Sequence, residues 1–346
     1  MKGSKIVKLN VNKFGSSLSM TKGAYILKDS EGNVQRYPIV EDKVGEIILM
    51  SGSNVSTGTL VYLSIWNVDC LLMTRNGRPV GTLRSLFNDC DIKTRLAQYQ
   101  ATQNEKGMYI AKTIVLKRIE TQNTLLKKYG LRQHDFMRVK QTIERLDETN
   151  LKALRRKLLP IEGRCSNSYF SQLFMLFSKD IRTSNSRKTY RAFDGLNNNL
   201  NYLYTLLRWK IYASLTKAKL EPFCGYLHSE QHGKPSLICD MIELYRANTD
   251  EFLLNYSEHI KRKDFKVQYE RFTPTKIGQR EYLNKNKLLE LKEAFYSFME
   301  SKVNIPRIKV GNVQTLETLI SEECLLLAKY LRNERKNWIP RIAELS

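Results

Sequence analysis

Two acidic residues one helical turn apart lie in a markedly apolar stretch of the chain. Asp240 and Glu243 share one face of a predicted helix that begins near Ser236, and their neighbours are leucine, isoleucine, methionine and cysteine. A carboxylate in such surroundings is costly to bury unless it is protonated, paired with a cation or bound to a metal ion. The pattern indicates either a metal site or an ion pair with Arg208 or Arg246, and both interpretations stay open at this point.

Further candidate metal ligands lie upstream of this pair. His228 follows Gly225 in a predicted loop, and Glu162 follows Pro160 ahead of a predicted helix over 168–177. Carboxylate oxygens with one imidazole favour Mg²⁺ or Mn²⁺. The six cysteines are scattered without a Cys-x-x-Cys pair, which argues against a structural zinc site. Taken alone, Glu162 is expected to cap the first turn of its helix.

The charge of the chain favours a polyanionic partner. Its 346 residues include 57 Lys+Arg against 35 Asp+Glu, a formal net charge of +22. Residues 1–100 hold 13 basic and 8 acidic residues, whereas residues 101–346 hold 44 and 27, so most of the excess lies in the second part. Nucleic acid is the commonest partner of such a surface, and a ribosome-associated protein is the alternative.

Composition and segment lengths exclude several classes of protein. A hydrophobic content of 42% is enough for a sizeable core and excludes a disordered chain. The sequence contains no apolar run of about 18 residues and no secretory h-region near its start, so we expect neither a membrane span nor secretion. A reduced, cytoplasmic protein fits the scattered cysteines.

The pattern of apolar residues changes along the chain and predicts an α+β protein. Residues 1–90 contain short segments rich in valine, isoleucine, leucine and tyrosine, separated by turn residues such as Asn76-Gly77, and they predict a small β domain. Ser56 is expected to cap a helix inserted in this domain. A connector over 91–110 and a larger, all-helical domain over 111–346 follow.

Four motifs follow one another at a characteristic spacing in the helical part. They are Glu162-Gly163 with Tyr169-Phe170, Asp194-x-x-Asn197-x-x-x-Asn201-Tyr202, Gly225-Tyr226-Leu227-His228, and Pro235-Ser236-Leu237-x-x-Asp240-Met241-Ile242-Glu243. Together they resemble the CRISPR-associated protein 1 family, the integrase and endonuclease of spacer acquisition. The β segments are similar as well, and the segment 272–282 resembles the family's last helices. One departure is Gly195, which stands where many members have proline.

The resemblance implies a metal-dependent DNA integrase and endonuclease. Glu162, His228 and Glu243 match the three ligands of a divalent cation, Mg²⁺ or Mn²⁺, in the helical domain. Asp240 matches a second acidic position of the catalytic site. The implied reaction joins the 3′-hydroxyl ends of a prespacer to phosphodiesters of a CRISPR repeat.

The resemblance also implies partners. The family forms a homodimer through its β domain and works with a dimer of CRISPR-associated protein 2 on double-stranded and branched DNA. Tyr169, Asn197 and Asn201 match positions close to the site. The basic stretches just before Glu162 and over 182–191 are candidate phosphate contacts, although a solvated loop is an equally ordinary interpretation. The expected DNA-binding residues are Arg155, Arg156, Tyr169, Arg187, Lys188, Arg191, Asn197 and Asn201.

Two other functions stay open on the sequence. One is a casposon-type transposon integrase; such proteins commonly carry an additional C-terminal DNA-binding module, and only fifteen residues follow Leu331 here. The other is a non-catalytic nucleic-acid-binding scaffold, which the intact set of three metal ligands disfavours.

Overall fold

The chain divides into two compact units, Met1–Ile92 and Lys93–Ser346. The computed structural model describes residues 6–11, 14–39, 43–74, 79–83, 85, 92–189, 192–273, 276–305 and 313–344. The first unit consists of β-sheets with one helix, and the second is mostly helical, which confirms the expected α+β class. The residues predicted as a connector contain one complete helix and the start of the next.

Two four-stranded sheets form the N-terminal unit. Their strands are β1 (Ile6–Val11), β2 (Ser17–Thr21), β3 (Ala24–Lys28), β4 (Val34–Pro38), β5 (Lys43–Met50), β6 (Asn54–Val55), β7 (Asp69–Met73) and β8 (Pro79–Leu83). One sheet has the order β1-β5-β7-β8 and the other has the order β4-β3-β2-β6. In the first sheet β1, β5 and β7 are parallel, and β8 is antiparallel to β7.

Apolar side chains that alternate along these strands build the core of the unit. Leu9, Ile47 and Cys70 are almost completely buried, as the period-two pattern predicts. Helix α1 (Thr57–Ile65) begins after Ser56, whose side chain accepts a hydrogen bond from the Thr59 amide, which confirms the predicted cap. The turn expected at Asn76-Gly77 lies outside the described residues.

The second unit is built around long helices that share one hydrophobic core. The helices are α2 (Lys93–Ala101), α3 (Glu105–Lys128), α4 (Phe136–Glu144), α5 (Leu151–Leu176), α6 (Gly195–Lys217), α7 (Ser236–Ile242), α8 (Arg246–Tyr256), α9 (Lys285–Glu300) and α10 (Leu316–Leu331). Helix α6 packs against α7, α8 and α10, whereas α3 packs against α5 and α8. This arrangement places α3, α5 and the α7–α8 corner next to one another.

The expectation of an all-helical second domain is wrong in one respect, because it contains two β-hairpins. The hairpins pair β9 (Phe265–Thr273) with β10 (Lys276–Leu283), and β11 (Lys302–Asn304) with β12 (Val313–Thr315). The described residues of the segment 272–282, expected among the last helices, lie in strands β9 and β10. Val267 and Tyr269 alternate there with polar residues, and this period of two is a strand pattern that the helical interpretation overlooked.

The cysteines of the described residues carry free thiols. Cys70, Cys165, Cys224, Cys239 and Cys324 are buried and unpaired. Cys90 lies outside the described residues. In the part of the chain that the structure describes, no helix combines the length and the apolar character needed to cross a membrane.

Candidate active site

Glu162 lies near the middle of α5 and does not cap a helix. The helix begins after Asn150, whose side chain accepts a hydrogen bond from the Ala153 amide, and it continues through Pro160. Proline removes one intrahelical hydrogen bond, but Leu158 and Ile161 on either side bury apolar surface in the core and hold the helix together. The expected capping role of Glu162 is therefore wrong, and its carboxylate points into the protein.

A single guanidinium joins the two carboxylates expected to bind metal. Arg118 of α3 places Nη1 2.6 Å from Oε1 of Glu162 and also in contact with Oε2 of Glu243. Its Nη2 donates to Oγ of Ser166 at 2.7 Å. The Ser166 hydroxyl donates in turn to Glu162 at 2.7 Å. Three helices thus bring the two carboxylates to one buried point.

Glu243 is held in its ionised form by two arginines. It ends α7 with 1% of its side chain exposed, and Arg246 Nη2 lies 3.1 Å from its Oε1. Burial alone raises the pKa of the Glu243 carboxyl, but Arg118 and Arg246 outweigh this effect and lower it below its ordinary value. The alternative of an ion pair with Arg246 is therefore real, and it exists together with the convergence on Arg118.

His228 is fixed by Asp240, which makes Asp240 a positioning residue. The fully buried Asp240 carboxylate accepts hydrogen bonds from the backbone amides of Tyr226, Leu227 and His228. Its Oδ1 also lies 2.8 Å from Nδ1 of His228. Because the carboxylate is the acceptor, Nδ1 is the donor of this bond, and in a neutral imidazole Nε2 then has a lone pair for another partner. This contact orients the His228 ring, and the catalytic role expected of Asp240 stays a prediction.

Arg155, expected to contact DNA, holds the loop that carries His228. Its Nε donates to the Tyr226 carbonyl at 2.7 Å and its Nη2 to the Gly225 carbonyl at 2.8 Å. The guanidinium also pairs with Glu230. These bonds show that Arg155 supports the loop, and its expected phosphate contact stays a prediction. Arg156, the next residue on α5, is exposed.

The candidate ligands are of types that suit a divalent cation, but they do not lie close enough together to hold one in this arrangement. Among the described residues, no group of three or more His, Cys, Asp or Glu side chains is close enough to hold a metal ion. Arg118 lies between Glu162 and Glu243, and the buried Asp240 that bonds His228 lies one helical turn before Glu243. Two carboxylates that already hold a cationic group, beside an available imidazole nitrogen, are suitable donors for Mg²⁺ or Mn²⁺. An ion bound by all three requires Arg118 to withdraw.

The basic loop before α6 is anchored by Arg187. Its Nη1 and Nη2 donate to Oδ1 of Asn197 at 2.9 Å and to Oδ1 of Asn201 at 2.6 Å. The guanidinium also lies 5.3 Å from the centre of the Tyr204 ring. Arg187, Asn197 and Asn201 thus bond one another in this structure, and their expected DNA contacts stay predictions. Lys188 is exposed.

Two predicted DNA contacts remain to be placed. Arg191 lies outside the described residues. Tyr169 is 1% exposed, so it cannot contact DNA directly. Its hydroxyl donates to Oδ2 of the buried Asp250 at 2.9 Å, and the Tyr204 hydroxyl donates to Oδ1. Burial raises the pKa of Asp250 to about 6, against the opposing effect of the two hydroxyls, Arg187 and Arg246.

Sequence reasoning missed Arg118, Ser166 and Asp250. Arg118 carried a usable signal, because it continues the apolar series Ile110 and Ile114 at a spacing of four residues. An arginine in that position faces the core and needs a buried acidic partner. Asp250 lies in a helix whose first two turns are buried almost throughout, and its sequence pattern does not reveal this.

The fold and the site define a class of protein: an α+β chain whose helical unit brings two carboxylates together on one buried arginine and holds a histidine against a buried aspartate. The family described as CRISPR associated protein Cas1 matches residues 9–287. The chain belongs to this family, as the resemblance of its motifs predicts.

Relatives and solved structures agree with this assignment. A curated relative from Korarchaeum cryptofilum, named CRISPR-associated endonuclease Cas1, is 26% identical over 265 residues, 72% of this chain and 77% of the relative. The structure of a Cas1 protein from Thermotoga maritima is similar with a TM-score of 0.70 at 21% identity and covers 98% of this chain and 100% of that one.

Two assemblies contain similar chains. A casposase bound to integration product has a TM-score of 0.71 at 21% identity, covering 96% of this chain and 92% of that one. A chain of a partial Cas6-RT-Cas1–Cas2 complex has a TM-score of 0.71 at 18% identity, covering 99% of this chain and 100% of that one. These likenesses support the shared fold.

Proposed function

We propose that this protein is a divalent-cation-dependent DNA endonuclease and integrase of CRISPR adaptation, which joins prespacer 3′-hydroxyl ends to phosphodiesters of the CRISPR repeat. The observation that carries the proposal is the convergence of Glu162 and Glu243 on one buried guanidinium, beside a histidine whose Nδ1 faces Asp240. Family membership and the names of the curated relatives support it.

Each residue of the site has a distinct part in this chemistry. Glu162, His228 and Glu243 hold Mg²⁺ or Mn²⁺, which when bound activates the attacking oxygen and neutralises charge on the phosphorus. Asp240 orients His228 so that Nε2 stays available. Before the ion binds, Arg118 keeps the two carboxylates together and supplies their counter-charge.

The transfer exchanges one phosphodiester for another. The 3′-hydroxyl loses its proton and forms a bond to phosphorus, while the bond from phosphorus to the leaving oxygen breaks and that oxygen gains a proton. The basic excess of residues 101–346 provides attraction for the DNA backbone. Lys152, Arg156 and Lys157 are exposed on α5, the helix of Glu162, and are suited to this contact.

We further propose that the β domain forms a homodimer and that a dimer of CRISPR-associated protein 2 bridges two such homodimers. Helix α1 supports the first part, because Val61, Ile65 and Trp66 are more than half exposed on it. The likeness to a chain of a Cas6-RT-Cas1–Cas2 complex supports the second. Size measurement of the full chain, alone and with the small partner, tests both parts. A protein that stays monomeric at micromolar concentration contradicts the homodimer.

A casposon-type integrase is the second candidate, and the likeness to a casposase over 96% of this chain favours it. The two functions differ in their target and partner. We expect an integrase of CRISPR adaptation to join DNA to the repeat and to need CRISPR-associated protein 2, and a casposon-type integrase to show neither property. Integration assays on a plasmid carrying a CRISPR array, with and without the partner, distinguish them.

The activity itself is tested with branched DNA and a Mn²⁺ titration. We expect Glu162→Gln and His228→Ala to abolish strand transfer while leaving DNA binding largely intact, because the basic surface is unchanged. His232→Ala is the matched control, since this exposed histidine lies four residues from His228. A Glu162→Gln variant that joins DNA at the wild-type rate contradicts the site, and a wild-type protein that binds but never joins DNA favours the scaffold.

A further inference from the structure

One face of the β9–β10 hairpin is uncovered, although it carries apolar and aromatic side chains. Val267, Tyr269 and Ile277 on this face are 49%, 71% and 62% exposed. The register pairs Val267 with Glu281, Tyr269 with Gln279 and Arg271 with Ile277, so these six side chains share one face. Its outer part, with Val267, Tyr269, Arg271, Ile277 and Gln279, is called the hairpin face. A two-stranded sheet buries little by itself, and such a face is suited to a ligand.

The aromatic ring at the centre of the hairpin face is held in place. The Gln279 side-chain amide donates to the Tyr269 hydroxyl at 2.7 Å across the two strands. This bond fixes the hydroxyl end of the ring, and 71% of the Tyr269 surface stays exposed. A presented ring of this kind is a stacking platform for a planar group.

The base of the hairpin is firmly attached to the first turn of α6. The Glu281 amide donates to the Phe193 carbonyl at 2.8 Å, and the Asn198 side chain donates to the Glu281 carbonyl at 2.8 Å. Phe265 packs so closely on Gly195 that a Cβ at that position would collide with its ring. The face is thus presented from a fixed base.

The base of the hairpin adjoins the start of α6, which also holds the basic loop that contains Arg187. Asn197 accepts from Arg187, and the next residue, Asn198, holds the hairpin. Arg187 in turn lies over the ring of Tyr204, whose hydroxyl shares Asp250 with Tyr169 on the helix of Glu162. The hairpin face and the carboxylate site therefore lie on elements joined through α6.

The charge around the hairpin indicates what binds there. Residues 261–285 contain eight basic and three acidic residues. Two of the acidic residues are paired with arginines of the same region, Glu270 with Arg280 and Glu281 with Arg262. Arg271 is exposed on the hairpin face itself. This positive charge disfavours a second copy of the same face and favours a polyanion with planar groups.

We propose that the hairpin face binds an unpaired DNA strand, with a base stacked on Tyr269 and a phosphate near Arg271. The proposal rests on the proposed function, because it adds to that function a contact for the single-stranded tail of a substrate. Stacking on an aromatic side chain tolerates any base and contributes substantially to the binding of single strands. The duplex part of the same substrate does not need this contact.

The test compares two substrates that differ only in their ends. One is a blunt DNA duplex, and the other carries a single-stranded 3′ tail with 2-aminopurine in the tail. For Tyr269→Ala we expect roughly a 5- to 150-fold loss of affinity for the tailed DNA and little change for the blunt DNA. Tyr269→Phe should keep both the affinity and the quenching of 2-aminopurine fluorescence. Tyr99→Ala removes a half-exposed tyrosine of α2, outside the hairpin, and is the control.

Each other outcome overturns the proposal. If Tyr269→Ala binds tailed DNA with wild-type affinity, no base stacks on Tyr269. An equal loss of affinity for both substrates shows a duplex contact or a folding defect. A change from dimer to monomer shows that the face pairs two copies of the chain. The outcome is independent of catalysis, because Glu162→Gln can fail to join DNA, or join it normally, whatever the tail affinity is.

Discussion

Replacing Arg118 by methionine is the perturbation that follows most directly from the geometry of the site. The change keeps an unbranched side chain on α3 but removes the positive charge between Glu162 and Glu243. Removing one partner of a buried ion pair typically costs about 3–5 kcal/mol, because the remaining charge stays buried. Glu243 keeps Arg246 at 3.1 Å, so the lower end of this range, about 3 kcal/mol, applies here.

Thermal unfolding without divalent cations measures this cost. For a domain of this size a loss of about 3 kcal/mol lowers Tm by roughly 6–12 °C. Arg156→Met is the matched control, because this arginine is exposed on α5 and its removal should leave Tm nearly unchanged. If Arg118→Met unfolds at the wild-type temperature, the guanidinium is not the counter-charge of the two carboxylates.

The same variant reports on the competition between Arg118 and a metal ion. A ligand at 100 times its Kd stabilises the folded state by about 2.7 kcal/mol. In the wild-type protein Mn²⁺ must displace Arg118 before it binds Glu162 and Glu243. In Arg118→Met it meets no such competition, so Mn²⁺ should raise Tm more in the variant than in the wild-type protein. An equal or smaller rise in the variant refutes the competition.

Three further predictions concern other parts of the site and the surface. Asp240→Asn should reduce strand transfer by roughly 10- to 100-fold at unchanged DNA affinity, because His228 loses its orienting carboxylate; wild-type transfer rates argue against that role. The pKa of Asp250 is raised to about 6 in the folded protein, so ionising this carboxyl destabilises the fold. The destabilisation is absent below about pH 4, grows as the pH rises and is complete above about pH 6. Unfolding measured against pH should therefore show Asp250→Asn gaining stability relative to wild type across this window, and a constant difference contradicts it. DNA affinity should fall by roughly 10³- to 10⁵-fold between about 50 and 200 mM salt if six to ten phosphates are neutralised, and a flat response indicates another partner.

The sequence predicts the candidate ligands better than it predicts their partners. Asp240 and Glu243 stood out because two carboxylates among apolar residues require compensation. Their different roles depend on which groups surround each one. The backbone amides of 226–228 donate hydrogen bonds to Asp240, whereas Arg118 of another helix forms an ion pair with Glu243. Such long-range contacts are not encoded in local spacing.

The elements that were wrongly assigned share a physical cause. Pro160 is an ordinary signal for a helix boundary, but the burial of apolar residues on both sides of it keeps α5 continuous. The β9–β10 hairpin forms a separate two-stranded sheet within a mostly helical unit, so its alternating pattern is isolated in the sequence. The carbonyl and amide acceptors of Arg155 and Arg187 come from other segments of the chain, so local sequence does not reveal these bonds.

The most direct test of the account is to locate a bound metal ion. Crystals of the full-length protein soaked with Mn²⁺ and measured at the manganese absorption edge show where the ion binds. We predict one anomalous peak in contact with Glu162, His228 and Glu243, with Arg118 moved away from the two carboxylates. A peak elsewhere, or an Arg118 that stays between Glu162 and Glu243 at saturating Mn²⁺, contradicts the account.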